Sequence, residues 1–337
     1  MRLLILTFLL TSSLFAKTYS DMIGREVEIE STPQSFVAFG PGALRLMVYL
    51  GLEDRAVGIE RGEQRGIPIS PYRVALGGEY IKALPIIGQG GPGKVPNLEA
   101  IIKLKPDVIV ASFVDRKVAD MISSKTGIPV FVASYGSGYG GQGDKFSDIT
   151  KSLIALGEIF GVKQRAIDID RALKKEQAKL LKLLKQKPSA YIGGIGYKGA
   201  QGFSSTEGDY ISFELLGLKN SVIDKQGHHF LQKEAILKTN PKYIFIDRMG
   251  QGIYKDELKN DGDFFAMLDA YKNSRVYLLP PYNFYNTNLE NTVVNSYIIA
   301  SIIEDREFPQ EDVRRVLEVF YPTKHEKVYE SIRSIVK

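Results

Sequence analysis

Short apolar runs alternate with amphipathic stretches along most of the chain. In the first half, Ser35 to Phe39, Val108 to Ser112 and Val130 to Ala133 are apolar runs of strand length. Between them, Ala43 to Leu50, Leu98 to Leu104 and Arg116 to Ser124 carry helical patterns. The second half repeats the style, with strands at Ala190 to Gly194, Tyr243 to Asp247 and Val276 to Leu279 and helices near Tyr210 to Leu216 and Leu231 to Leu237. Strands that lack polar alternation are buried on both faces, and their alternation with helices predicts parallel sheets covered by helices. The fold class is α/β, with two Rossmann-like lobes.

Self-similarity supports two lobes. Glu99-Ala-Ile-Ile-Lys-Leu-Lys-Pro106 runs into Asp107-Val-Ile-Val-Ala, and Glu234-Ala-Ile-Leu-Lys-Thr-Asn-Pro241 runs into Lys242-Tyr-Ile-Phe-Ile. Each copy reads as a short helix stopped before a proline, then a buried strand. Between the halves, Lys163 to Lys187 lacks Gly and Pro, and Ile167, Leu173, Leu180 and Leu184 offer a stripe for packing. Its roughly 25 residues make a rod of about 37 Å, long enough to join the lobes and stiff enough to restrict them to small rocking motions. The expected division is a signal peptide at 1–16, an N-terminal lobe at 17–162, a bridging helix at 163–187, and a C-terminal lobe with C-terminal helices at 188–337.

The N-terminus reads Met1-Arg2, an apolar run from Leu3 to Leu10, then Leu14-Phe15-Ala16. One positive charge, a short apolar core and a small-residue cleavage site describe a cleavable export signal. The chain has no cysteine. Disulfides, thiolate metal sites and the cysteine that carries a lipid anchor are therefore unavailable, and a bacterial periplasmic protein, not lipid-anchored, is expected. Net charge is +5 with the charges interspersed, so no stripe for nucleic acid is present, while a basic cleft for an anionic ligand stays open. Cysteine nucleophiles, a Gly-x-Ser-x-Gly elbow, a phosphate loop and a His-Glu-x-x-His pair are all absent from the sequence, which weighs against catalysis.

Ligands of parallel-sheet lobes bind beyond the carboxyl ends of the strands. Gly40-Pro41-Gly42 follows the first strand and opens a helix whose free N–H groups favour an anion, or simply makes the turn. Gln89 leads a glycine-rich turn; Tyr135 and Tyr139 share another; Tyr197 precedes Lys198-Gly199; Tyr282 and Tyr285 lie in Pro281-Tyr-Asn-Phe-Tyr. A tyrosine in such a loop has little local cover, and its phenol needs a partner when buried, so ligand contact is expected of some of these. His228 and His229 stand together before the second repeat helix, and an imidazole with a phenolate such as Tyr285 could ligate Fe(III), the imidazole also Ni(II) or Cu(II). The alternative for the pair is a surface loop. Arg248, at a strand end, could clamp carboxylate, catecholate or phosphate oxygens, or pair with Asp247. Arg61, Arg65 and Arg116 are weaker candidates.

Together these residues resemble the periplasmic binding proteins of iron-siderophore and cobalamin ABC importers, whose two lobes are bridged by one rigid helix. The resemblance runs from about Asp21 to Lys324 and is most specific at Pro96 to Val110, the copy at Glu234, and Gly202-Phe203-Ser-Ser. It implies that Glu99 and Glu234 dock against an ABC permease dimer of the inner membrane, served by a cytoplasmic ATPase, and that Phe203 lies at the ligand site. Within the family the chain looks most like the Campylobacter-type enterochelin-uptake proteins, which place a histidine, an arginine and a tyrosine where His228 or His229, Arg248, and Tyr282 or Tyr285 stand. Gln201 and Phe113 stand where that group has further arginines. The expectation is a monomeric, non-enzymatic binding protein without an intrinsic cofactor, carrying an iron(III) chelate. A nickel chelate, haem, cobalamin, molybdate, or an exported enzyme on the same scaffold are the alternatives.

Overall fold

A computed structural model of the chain describes residues 16–65, 70–134 and 145–336. β1 (Lys17–Ser20) and β2 (Glu26–Ile29) pair antiparallel ahead of the first lobe. β3 (Phe36–Phe39), β4 (Ala56–Gly58), β5 (Val108–Ala111) and β6 (Val130–Val132) form a parallel sheet in the order β4-β3-β5-β6. β7 (Ala190–Gly193), β8 (Ser205–Glu207), β9 (His228–Phe230), β10 (Tyr243–Asp247) and β11 (Val276–Leu279) belong to the second lobe. There β11-β10-β7 is a parallel sheet, and β8 and β9 pair as an antiparallel ribbon. Among the described residues no helix is long and apolar enough to cross a membrane.

The apolar runs lack alternation because both faces of each sheet are covered. Phe36, Ala38, Val108, Val110 and Phe131 face one core, whereas Val37, Phe39, Ile109, Ala111, Val130 and Val132 face another. The second sheet divides the same way, with Ala190, Ile192, Tyr243 and Phe245 on the first of those cores and Tyr191, Ile244 and Ile246 on a third. One core is thus shared by both lobes.

That shared core runs along the linking helix, Lys163–Leu180, through Ala166, Ile169, Leu173 and Leu180. The buried stripe passes through Ala166 and Ile169, and Ile167 is only half-buried beside it. The helix is shorter than the sequence suggests, about 27 Å for its 18 residues. Its last turn tightens, with Lys182 N–H donating to the Lys179 carbonyl and Leu183 N–H to that of Leu180, and the chain then runs out before Pro188. Glu176 is buried on the same helix, where Tyr297 and Arg315 both donate to its carboxylate. The helices Lys145–Ile159, Leu289–Ile303 and Gln310–Phe320 flank it.

The repeat is carried into three dimensions. Leu98–Leu104 and Lys233–Thr239 are helices of seven residues that bury a single side chain each, Ile101 and Ile236. Both stop at a left-handed residue, Lys105 at φ 50° and Asn240 at φ 44°, whose N–H donates back to the carbonyl of Ile101 or Ile236. The second helix starts later than the hydrophobic pattern predicts, because Phe230 ends β9 and Leu231 N–H continues toward the Ser204 carbonyl.

Candidate functional site

A cleft of about 790 Å³ opens between the lobes at the carboxyl ends of the parallel strands. Pro41 lies just beyond β3, Gly196 to Gly199 beyond β7, Met249 beyond β10, and Tyr282 to Thr287 beyond β11. Parallel strands end there with side chains and helix starts converging, which is where such sheets bind ligands.

On the N-lobe side, Pro41, Gly62, Arg65 and Gln89 to Pro92 form the wall. Gly40 sits behind it at φ +85°, where an added Cβ would lie 2.2 Å from the Ser112 carbonyl oxygen. Its N–H donates to Glu60 Oε2 at 2.9 Å. The Tyr285 hydroxyl donates to the same carboxylate oxygen at 2.5 Å and accepts from Gly91 N–H at 2.8 Å. Gly90 gives way to that hydroxyl, since a Cβ on it would stand 2.4 Å away. Burial lifts the Glu60 carboxyl to about 7, against the pull of its two donors. Two buried N-lobe cations pin the tyrosine loop from behind. Arg45 donates at 2.7 Å to the carbonyls of Thr287 and Phe284, and Arg73 lies over the Phe284 ring at 4.8 Å.

On the C-lobe side, Tyr197 stacks face to face on His228, with centroids 4.1 Å apart and planes 7° from parallel. His228 Nε2 meets Ser205 Oγ at 2.7 Å, and burial together with the neighbouring His229 pushes its pKa down to about 4. The imidazole is therefore neutral at neutral pH. His229 follows it along β9, so its side chain takes the opposite face of the ribbon. There its Nε2 meets the Gln226 carbonyl at 2.9 Å, and His229 itself is not among the residues that line the cleft. Glu207, Asp209 and Tyr282 complete the inner wall. Tyr282 is buried and packs on Tyr210 with ring centroids 4.9 Å apart. Asp247 holds two cleft loops at once: it accepts from Met249 N–H at 2.8 Å and from Tyr282 N–H at 2.6 Å. Full burial raises its carboxyl to about 7.

Of the sequence candidates, Pro41, Arg65, Gln89, Tyr197, His228, Tyr282 and Tyr285 converge on this cleft. Arg61 is exposed on a short 3-10 turn, its backbone N–H tied to the Gly88 carbonyl. Arg116 donates to the Gly24 carbonyl at 2.7 Å on the outer face of the N lobe. Arg248 is half-buried in a 3-10 turn behind Met249, and Asp247 spends its oxygens on backbone N–H groups rather than on Arg248. Phe203 lies in the second lobe's core, edge-on to Tyr191 at 5.4 Å and Phe265 at 5.0 Å. Tyr135 and Tyr139 fall outside the described residues. Glu99 and Glu234 are exposed in the first turns of the two repeat helices.

Sequence reasoning missed Glu60, Glu207, Asp209 and the two pinning arginines. Glu60 lies two residues past β4, so the strand-end rule would have found it had a three-residue strand been recognised. Among the described residues, no group of three or more His, Cys, Asp or Glu side chains is placed to hold a metal ion.

Two α/β lobes that share a core and enclose a ligand-sized cleft define a solute-binding protein. The chain belongs to the periplasmic binding protein family, whose sequence pattern matches residues 42–283. It is 25% identical over 280 residues to YvrC of Bacillus subtilis, an ABC transporter substrate-binding lipoprotein, covering 80% of each chain. It is 24% identical over 302 residues to the molybdate-binding protein MolA of Haemophilus influenzae, covering 82% of this chain and 81% of that one. The molybdate-bound structure of MolA superposes with a TM-score of 0.71 at 18% identity over 92% of this chain and 98% of that one. The Ni(II)-bound CeuE structure from Helicobacter pylori gives 0.65 at 18% identity over 94% and 99%.

Proposed function

We propose that this protein is the periplasmic binding component of an ABC importer and that its cargo is a bulky iron(III) chelate of low net charge. The observation that carries the reading is the cleft itself: about 790 Å³, walled by Tyr197, His228, Tyr282, Phe284 and Tyr285. Aromatic walls bury an organic ligand's faces, and a volume in this range suits a small-molecule complex better than a bare ion. The charges on the walls are balanced, Arg65 and Lys198 against Glu207 and Asp209. Among the described residues a tris-catecholate of three negative charges finds no ring of cations there, which moves the cargo away from the enterochelin type and toward a less charged complex. Tyr285 and His228 line the cleft, but the Tyr285 hydroxyl is held by Glu60 and Gly91 and His228 Nε2 by Ser205, so their role in this reading is to cover the chelate's organic faces. The protein breaks no bond in the cargo and releases it unchanged.

Export by the N-terminal leader and soluble delivery to the permease complete the reading. Glu99 and Glu234 are the proposed docking acids, one per lobe, as pseudo-twofold lobes would present to a twofold partner.

Tyrosine fluorescence titrations against iron(III) siderophores of differing charge, Ni(II)-histidine, haem, cobalamin and molybdate test the cargo. Saturable quenching by a low-charge iron chelate, weakened in Tyr197→Ala, supports the reading; binding of molybdate alone rejects it in favour of the oxyanion bound by the relative MolA. In cells, the Glu99→Ala, Glu234→Ala double variant should lose uptake while the purified variant binds normally.

A further inference from the structure

The duplicated segment repeats its exposure as well as its sequence. Ile101 and Ile236 are buried at the same place in the two copies, and so are Pro106 and Pro241. Glu99 and Glu234 are exposed, as are Lys103 and Lys238 one turn further along each helix. The correspondence extends ahead of the helices. Three residues before each begins, an apolar side chain stands in water: Val95 is 47% exposed and Phe230 57%. Single apolar residues scattered over a surface mean little, but the same position left apolar and exposed in both copies belongs to the duplication. Ile102, three residues past Glu99 and so on the same helix face, is 45% exposed. Its counterpart Leu237 is half-buried.

Both positions also border the mouth of the cleft. Pro92, three residues before Val95, lines the N-lobe wall. On the other side Phe230 shares a face of the β8–β9 ribbon with His228, two residues earlier. Its ring meets His228 and Tyr197 edge-on, with centroids 4.8 and 6.3 Å away. Those two line the C-lobe wall, whereas Val95 and Phe230 are not among the lining residues. Each lip of the cleft thus carries one apolar side chain and, a turn of helix further on, one acid.

We propose that Val95, Ile102 and Phe230 are the apolar part of a docking surface that seats a homodimeric permease across the mouth of the cleft. The proposal rests on the docking role given above to Glu99 and Glu234, and adds the contacts that hold the partner when salt screens its ion pairs. Exposed ion pairs contribute only about 0–1 kcal/mol each, so apolar anchors at the centre of each patch carry the affinity. The twofold repetition of the footprint, more than its apolarity, selects this partner: two identical subunits each meet the same arrangement of apolar residue and acid. A cargo molecule or a one-sided partner would need only one lip.

Photo-crosslinking in the native host tests it, with p-benzoylphenylalanine placed at position 95 or 230 of the full chain. Leu181, 56% exposed at the end of the linking helix but outside the repeat, is the control position. Mass spectrometry should identify one and the same membrane-spanning permease subunit at both lips and not at Leu181. Crosslinks only to another copy of this chain, or none at either lip, overturn the proposal. The permease so identified, purified with its ATPase in lipid nanodiscs, then serves as the binding probe. The Val95→Ser, Phe230→Ser double variant should bind it at least about ten-fold more weakly at low and at high salt alike. The Glu99→Ala, Glu234→Ala variant should lose affinity chiefly at low salt. Loss in the acid variant with none in the serine variant overturns the apolar footprint and leaves the docking acids standing. Loss in the serine variant alone keeps the footprint and rejects the acids. Circular dichroism establishes that the variants fold, and the crosslinks report on the footprint without them.

Discussion

Glu60 and Asp247 are carboxyls taken out of water at the ends of β4 and β10, one in each lobe. Each has its folded pKa raised to about 7 from the ordinary 4.5 or 3.8. A raised carboxyl binds its proton more tightly when folded, so its stabilising contribution is complete below the unfolded pKa and is lost as pH rises through about 7. His228 works the other way: its pKa falls to about 4, so its contribution is present above 6.5 and lost as pH drops through about 4. With two carboxyls against one half-buried imidazole, the melting temperature should fall between pH 5 and pH 8. Glu60→Gln should flatten that fall and stabilise the protein at pH 8 by on the order of 3 kcal/mol. Melting curves across this pH range check it, and an unchanged slope would refute the assignment to Glu60. Neither carboxyl was legible as a site residue in the sequence, because an acid after an apolar run looks like a solvated strand end. Only the packing of Gly40, Tyr285 and the loop beyond β11 around them reveals the burial.

Whole strands and helices were far more legible than single side chains. β3, β5, β7 and β10 stand out as apolar runs because two cores press on them from opposite faces. β4, β8 and β9 have three residues each, too few to show a period. His228 and His229 therefore read as loop residues, and the opposite orientations that separate them went unseen. Backbone conformation gives two predictions for these elements. Gly40→Ala meets both a positive φ and the Ser112 carbonyl, so it should cost more than the about 1–2 kcal/mol of the left-handed conformation alone. Chemical denaturation measures it, and a neutral effect would show that the strand end can shift. At the stops of the repeat helices, Lys105→Gly should stabilise by roughly 0.5–1 kcal/mol. Asn240→Gly should gain less, since asparagine tolerates that conformation. The pair compared in one urea series decides whether the two copies are strained alike.

At the scale of the whole molecule, the shared core should make the two lobes unfold as one thermodynamic body. The core that includes Phe36 and Val108 in one lobe also includes Ala190 and Phe245 in the other, joined through Leu173 and Leu180 of the linking helix. Scanning calorimetry should give a single transition, and Leu173→Ala should lower it as a unit, at a cost of about 2–5 kcal/mol. Two resolved peaks would contradict this. The sequence announced the duplication but not the shared core, because contacts between distant halves leave no periodic trace. That core also restricts how such a protein can be divided or diversified. A half cut away at the linking helix would expose an apolar face covered by the other lobe, so neither lobe should be a portable module. New cargo preferences must then arise by rewriting the loops at the strand ends, with the duplicated framework inherited whole.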